Sequence, residues 1–235
     1  FPLAVLAPLL ALVVTAFPSH AGRDPARFPK LRDLPPPAAP AGRYPDLAVS
    51  PDGAVYMSWF ESVDSLRHRL VVSRLEGTRW SAPRVVVEGD SFFVNWADFP
   101  AIASPAPGAV VVAWPWRVPG GDYAYHVRAA VSRDLGATWS EPVTVHDDRS
   151  PTEHGFVSMA AESGGVRLLW LDGRNGANGA EEGAFEMTVR TALLGLDGRP
   201  RGEQLVDARA CDCCQTALVA TSYGAVAAYR DRSLE

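Results

Sequence analysis

The sequence predicts an all-β fold assembled from a repeated four-stranded unit, and three observations carry that expectation. Short runs rich in Val, Leu and aromatic residues alternate with turns of Gly, Pro, Asp and Ser. No stretch beyond Arg43 sustains the 3.6-residue apolar period of an amphipathic helix. The runs also recur as a unit, at a period of roughly 50–60 residues, which is the spacing of β-propeller blades. A sandwich is the alternative, but a sandwich does not require internal repetition.

The elements follow in order. Residues 2–17 form an apolar run, followed by the small and polar residues Pro18, Ser19, His20, Ala21 and Gly22. Residues 1–22 are expected to be a partial signal peptide, lacking the usual basic start. A membrane anchor or a buried helix is the alternative, although a bilayer span needs about 20 apolar residues. Residues 23–42 include Pro35, Pro36, Pro37 and Pro40 and read as a leader, because proline fixes φ and removes backbone donors. The folded domain is expected over 43–235.

Each unit opens with an inner strand and a short turn, then a second strand ending in an aromatic residue. Pro45–Val49 leads to Val55–Trp59, and Pro100–Ala103 to Val110–Trp114; Phe156–Ala160 leads to Val166–Trp170, and Thr216–Ala220 to Val226–Tyr229. Third strands are expected at 70–73, 126–132 and 187–191. Fourth strands are expected only in the first two units, at 83–87 and 142–145. The blades then span about 43–88, 95–146, 153–207 and 211–235.

The chain has 235 residues and a formal net charge of −5, with 47% hydrophobic residues, 20 Gly, 20 Pro and 3 Cys. That apolar content suffices for a core and argues against wholesale disorder. The acidic balance, without a basic block, argues against a nucleic-acid partner. After the first 22 residues nothing is long and apolar enough for a membrane span. The expected location is therefore exported, either periplasmic or extracellular.

Ser132-Arg133-Asp134-Leu135-Gly136-Ala137-Thr138-Trp139 fits the pattern Ser-x-Asp-x-Gly-x-Thr-Trp. Asp134 can accept backbone N–H bonds within a turn, Gly136 can take a φ that other residues avoid, and Trp139 can fill space between blades. Ser73-Arg74-Leu75-Glu76-Gly77-Thr78-Arg79-Trp80 keeps the Ser, Gly and Trp but replaces the Asp and the Thr. Both continue as Ser-x-Pro, while the turn Gly195-Leu196-Asp197-Gly198 has lost most of the pattern.

Here the sequence resembles the Asp-box, or bacterial neuraminidase repeat, of sialidases and related β-propellers. The resemblance covers about residues 43–235. It implies a six-bladed ring, of which this chain would supply an N-terminal fragment of about three and a half blades. It also implies exo-α-sialidase-like hydrolysis or binding of a glycan or sialoglycoconjugate, with no cofactor. In that family three arginines hold the substrate carboxylate, an Asp is the acid/base, and a Tyr activated by a Glu is the nucleophile. Arg43-Tyr44-Pro45 is similar to the family's first arginine motif, so Arg43 is a candidate carboxylate binder or else a surface arginine. Asp98, before the second inner strand, is a candidate acid or else a turn residue. The remaining arginines and the Tyr–Glu pair are expected in later blades.

Ala210-Cys211-Asp212-Cys213-Cys214-Gln215 departs from that family, and it holds every cysteine of the chain. The cluster precedes the fourth inner strand, where the earlier units have Asp46, Asp98 and Glu153-His154-Gly155. In a propeller these entrances converge at one end of the channel. A structural disulfide, a copper or zinc site of Cys211, Cys213, Cys214 and His154, and reactive thiols all compete. The odd count leaves one thiol over. Tyr125, His126, Asp172, Arg174, Arg230 and Asp231 fall near the same mouth, where Asp/Arg pairs either stitch neighbouring blades or form a binding surface.

The function expected is thus a sialidase-like glycan hydrolase or glycan-binding propeller. The alternatives are an exported propeller with a Cys/His metal site and a non-catalytic binding or scaffold module.

Overall fold

A computed structural model of the chain describes residues 32–38, 42–176 and 186–233. The signal-peptide expectation over 1–22, most of the leader and Phe185 lie outside those residues. The chain divides into two compact units, Phe1–Leu34 and Pro35–Glu235. All of the described strands belong to the second. No described helix is long and apolar enough to cross a membrane.

The described strands form four antiparallel sheets in chain order. The first contains β1 (Gly42–Val49), β2 (Val55–Ser62), β3 (His68–Glu76), β4 (Arg79–Trp80) and β5 (Arg84–Gly89). The second runs β6 (Ala101–Ala106), β7 (Ala109–Arg117), β8 (Tyr125–Ser132) and β9 (Val143–Thr144). The third runs β10 (His154–Glu162), β11 (Gly165–Asp172), β12 (Met187–Gly195) and β13 (Pro200–Ala210). A fourth pairs β14 (Ala217–Thr221) with β15 (Gly224–Ala228).

The first strands of successive sheets lie beside one another: β1 meets β6, β6 meets β10, and β10 meets β14. The sheets pack face to face with their neighbours. One core joins the second and third sheets through Val111, Ala113, Val127, Leu168 and Trp170. A second joins the first and second sheets through Tyr56, Phe60, Ile102, Val112 and Trp114. A third couples the third sheet to the β14–β15 hairpin through Phe156, Leu171, Leu218 and Tyr229. Trp59, Trp114 and Trp170 occupy the same place on each second strand and are fully buried. Trp114 and Trp170 thereby remove a large apolar surface from water between the first and second sheets and between the second and third.

The Ser132–Trp139 turn has the hydrogen bonds that its residue types foretell. Asp134 accepts the Thr138 amide on Oδ1 (2.9 Å) and the Thr138 hydroxyl on Oδ2 (2.6 Å). Ser132 Oγ donates to Asp134 Oδ1 and accepts the Gly136 amide. Leu135 and Gly136 both take positive φ, 64° and 81°. The Ser73–Trp80 stretch folds differently. There β3 continues to Glu76 and pairs with β4 across Gly77 and Thr78, so Leu75 lies opposite Trp80. Gly77, at φ 63°, supplies the positive φ that the first position of a two-residue hairpin loop needs.

Two elements differ from expectation. The outer strand of the first sheet is split into β4 and β5, both on β3. The third sheet has a fourth strand, β13, where the sequence pattern shows none.

Candidate functional site

Register identifies equivalent places on the first strands. Arg43 is opposite Phe60 on β2, and Gly155 is opposite Leu171 on β11, each one residue past the buried tryptophan. Ala101, opposite Ala113, matches Asp46 and Ser158 in the same way, which makes Asp98 the counterpart of Arg43 and Gly155. β1 and β10 are both bulged here, with Tyr44 and Phe156 at φ 57° and 54°. The chemistry thus gathers where the chain enters its first strands.

A cavity of about 600 Å³ opens at that end, lined by residues preceding β6, β8, β10 and β14. Asp98 is at its base, only 1% exposed. Its carboxylate rests against the Cα of Gly155. A Cβ there would collide with Asp98 Oδ2 and come within 2.9 Å of the Tyr125 hydroxyl. A glycine is required so that a carboxyl can occupy this place. Neither Asp98 oxygen has a hydrogen-bond partner of good geometry. Burial raises its pKa to about 7, opposed by the nearby Phe156 amide and Tyr125 hydroxyl and assisted by the charge of Glu153.

Tyr125, at the start of β8, donates its hydroxyl to Glu153 Oε1 at 2.8 Å. Burial raises the pKa of both partners; the tyrosine bond opposes the rise at Glu153, and Asp212 adds to it. Phe93 stacks on Tyr125 with ring centroids 4.1 Å apart and an 11° interplanar angle. Arg117 lies over the Phe93 ring at 4.8 Å. At the rim Trp96 and Tyr123 are 78% and 63% exposed. The site is an aromatic-walled cleft with three carboxyls, from Asp98, Glu153 and Asp212, and with no Lys or Arg among the lining residues.

The other expected residues divide between this cleft and elsewhere. Arg43 is exposed on β1 and does not line the cavity. Asp46 accepts the Ile102 amide at 3.0 Å and ties β1 to β6. Cys211 and Cys214 form a disulfide with Cα atoms 5.6 Å apart, leaving Cys213 as an exposed free thiol on the cavity wall. The three sulfurs lie within 4.8 Å of one another.

His154 does not join the sulfurs in that group. It is fully buried, with Nδ1 on the carbonyls of Tyr125 and Thr152 and Nε2 2.9 Å from Asp148 and 3.7 Å from Asp172. It stacks on His146 with centroids 4.0 Å apart, and His126 meets both rings edge-on. Of the four expected metal ligands the three sulfurs lie together, two of them bonded to each other, while the histidine belongs to a separate buried cluster.

The Asp172–Arg174 pair performs the stitching role. Arg174 grips Asp172 through two nitrogens (2.7 and 2.8 Å) and reaches Asp147 (2.7 Å) and Glu203 (2.6 Å), joining the third sheet to the segment after β9. Asp172 is held down to a pKa of about 2, although burial alone would raise it, by Arg174, the nearby His154 and the Trp170 indole. Arg230 and Asp231 do not repeat that pairing; Asp231 binds Ser233, and Arg230 Nη1 points at Cys214 Sγ (3.8 Å).

Phe93, Trp96, Tyr123 and Asp212 were not foreseen as site residues. The available signal was an aromatic cluster, Phe92, Phe93 and Trp96, inside a turn-rich segment with no strand to bury it.

No family model matches the chain, and no curated protein matches it. Solved structures do resemble it. An α-L-arabinofuranosidase of Fusarium graminearum superposes with a TM-score of 0.55 at 15% identity, over 80% of this chain and 58% of that one. The α-L-arabinanase of Penicillium chrysogenum gives 0.51 at 14%, over 80% and 59%. The phage phi92 endosialidase gives 0.48 at 12%, over 75% and 28%, a likeness too weak to carry an argument. The chain spans less than two thirds of the length of each. At these identities the likeness is one of fold alone: successive antiparallel sheets in a propeller-like arrangement.

Proposed function

We propose that this chain belongs to a glycan-hydrolysing propeller whose active site is the aromatic cleft around Asp98. One observation carries the reading: a fully buried carboxyl that keeps its proton up to about pH 7 faces the same cavity as a second carboxyl, Glu153, held by Tyr125. Two carboxyls with different environments are what glycoside cleavage requires. Asp98 donates its proton to the departing glycosidic oxygen. Glu153 takes the proton of the water that attacks the anomeric carbon, and Trp96 and Tyr123 offer faces on which a sugar ring stacks. No cofactor enters this scheme.

The carboxyl-rich lining favours a neutral sugar over an anionic one. The sialidase reading keeps one supporting observation: Arg43 occupies the strand position equivalent to Asp98. In that reading the arginine meets the carboxylate of a sialoside, and the sheets described form part of a six-bladed ring in an exported protein.

The test is a panel of nitrophenyl glycosides, including α-L-arabinofuranoside and a sialoside, with wild type and Asp98→Asn. Release from a neutral glycoside that is lost in the variant is expected. Release from the sialoside alone, lost on Arg43→Ala, would replace the neutral-sugar reading. Activity unchanged by Asp98→Asn would remove the cleft from the mechanism.

A further inference from the structure

The cysteine cluster has a chemistry that the glycosidase reading does not use. Cys213 carries the one free thiol among the described residues, and its Sγ lies 3.7 Å from Cys211 Sγ. Cys211 is bonded to Cys214 and has no proton to give, so Cys213 is the only possible donor in that contact. On the far side of the bridge, Arg230 Nη1 lies 3.8 Å from Cys214 Sγ. A nucleophile, a disulfide and a cation beside the leaving sulfur are thus held together by one short turn and the segment after β15. Backbone bonds fix the two pieces: the Cys211 amide donates to the Arg230 carbonyl (2.9 Å) and the Arg232 amide to the Arg209 carbonyl (3.2 Å).

We propose that Cys211, Cys213 and Cys214 form an intramolecular thiol–disulfide exchange site. Cys213 gives its proton to solvent, and its thiolate swings into line with the Cys211–Cys214 bond and attacks Cys211 Sγ. The Cys211–Cys213 bond forms as the Cys211–Cys214 bond breaks, and Cys214 departs as a thiolate beside the Arg230 guanidinium. One disulfide and one thiol are present before and after, so no external oxidant or reductant is consumed. The exchange relocates the free thiol. In the isomer described it lines the cleft next to Asp212; in the other it stands beside Arg230. The cleft wall therefore exists in two covalent forms that interconvert without net redox change.

The experiment reads which cysteine carries the free thiol. Native protein is kept without reductant, then unfolded in mildly acidic denaturant that halts exchange and labelled with N-ethylmaleimide. Fragment-ion sequencing assigns the label. The expected result is one label per chain, divided between Cys213 and Cys214. Arg230→Gln should lower the Cys214 share while the total stays at one. Cys214→Ser should show no label, because Cys211 and Cys213 are then bonded. Label on Cys213 alone in the wild type overturns the proposal, whether or not the Cys214 variant folds. These outcomes are independent of any glycosidase activity.

Discussion

In the proposed mechanism Asp98 joins stability and activity in a single group. Its folded pKa of about 7 stands above the ordinary aspartate value because burial disfavours the charged form. A carboxyl raised in the folded state contributes most below its unfolded pKa, near 4, and that contribution is lost as pH rises through about 7. At about 1.4 kcal/mol per unit, the ionised carboxylate costs on the order of 4 kcal/mol at pH 8. Asp98→Asn should therefore gain melting temperature relative to wild type between pH 4 and pH 8, while losing hydrolysis at every pH. Thermal melts at the two pH values decide it; a difference that does not change with pH would show that Asp98 is not held neutral by its site. The wild-type activity should decline above about pH 7 as the acid loses its proton. At this scale the sequence was partly legible. Asp98 could be suspected from its place before an inner strand, but its companions could not be ranked. Nothing in the letters says that Gly155 leaves room for its carboxylate, or that His154 turns inward to Asp148 and Asp172 rather than toward the cysteines.

Single strands and turns were far more legible, and the exceptions have a physical cause. The second and third strands are buried on both faces, so they read as apolar runs; β7 and β11 are examples. β13 is exposed along most of its length and carries Arg201, Glu203, Asp207 and Arg209. An outer strand protected by charge gives no continuous apolar signal, so the sequence pattern shows no strand there. The Ser132–Trp139 turn shows the opposite case, where local hydrogen bonding dictates the residues. Asp134 is held at a pKa of about 2, first by the Thr138 hydroxyl, then by the Thr138 amide and Ser132. A depressed carboxyl stabilises above its unfolded pKa, near 4, and the effect fades as pH falls through about 2. Asp134→Ala should lower the melting temperature at pH 7, and the deficit should shrink toward pH 2. A deficit of equal size at both pH values would mean that the turn is held by its backbone alone. The Ser73–Trp80 hairpin already lacks the aspartate and substitutes strand pairing, which explains why Leu75 and Arg79 are acceptable there.

Across the whole molecule, the sheets are linked at their first strands by buried polar bonds as well as by apolar cores. Asp46 joins β1 to β6 through the Ile102 amide. At the other end Thr216 Oγ1 donates to the Phe156 carbonyl (2.8 Å) and accepts from Ser158 Oγ (2.8 Å), joining β10 to the segment that leads into β14. That second link bears on a hairpin packed on one side only, by Leu218, Ala227 and Tyr229: Val219 and Val226 are 56% and 55% exposed, and Tyr223 is fully exposed. Thr216→Val keeps the shape of the side chain but leaves the buried Phe156 carbonyl and the half-buried Ser158 hydroxyl without their partner, a cost of about 1–3 kcal/mol. Because stability is distributed in local units, the loss should be felt where the fewest contacts compensate. Amide hydrogen exchange should therefore accelerate over β14 and β15, while β7, β8, β11 and β12 keep their protection. Uniform acceleration over all four sheets would mean instead that the hairpin and the three larger sheets open together, as one cooperative unit. The same experiment bears on the cleft, since Phe156 lines it and Thr216 fixes the Phe156 carbonyl. If the hairpin opens alone, the Asp98 side of the cleft stays formed while the Cys213 wall, carried on the turn before β14, becomes free to move.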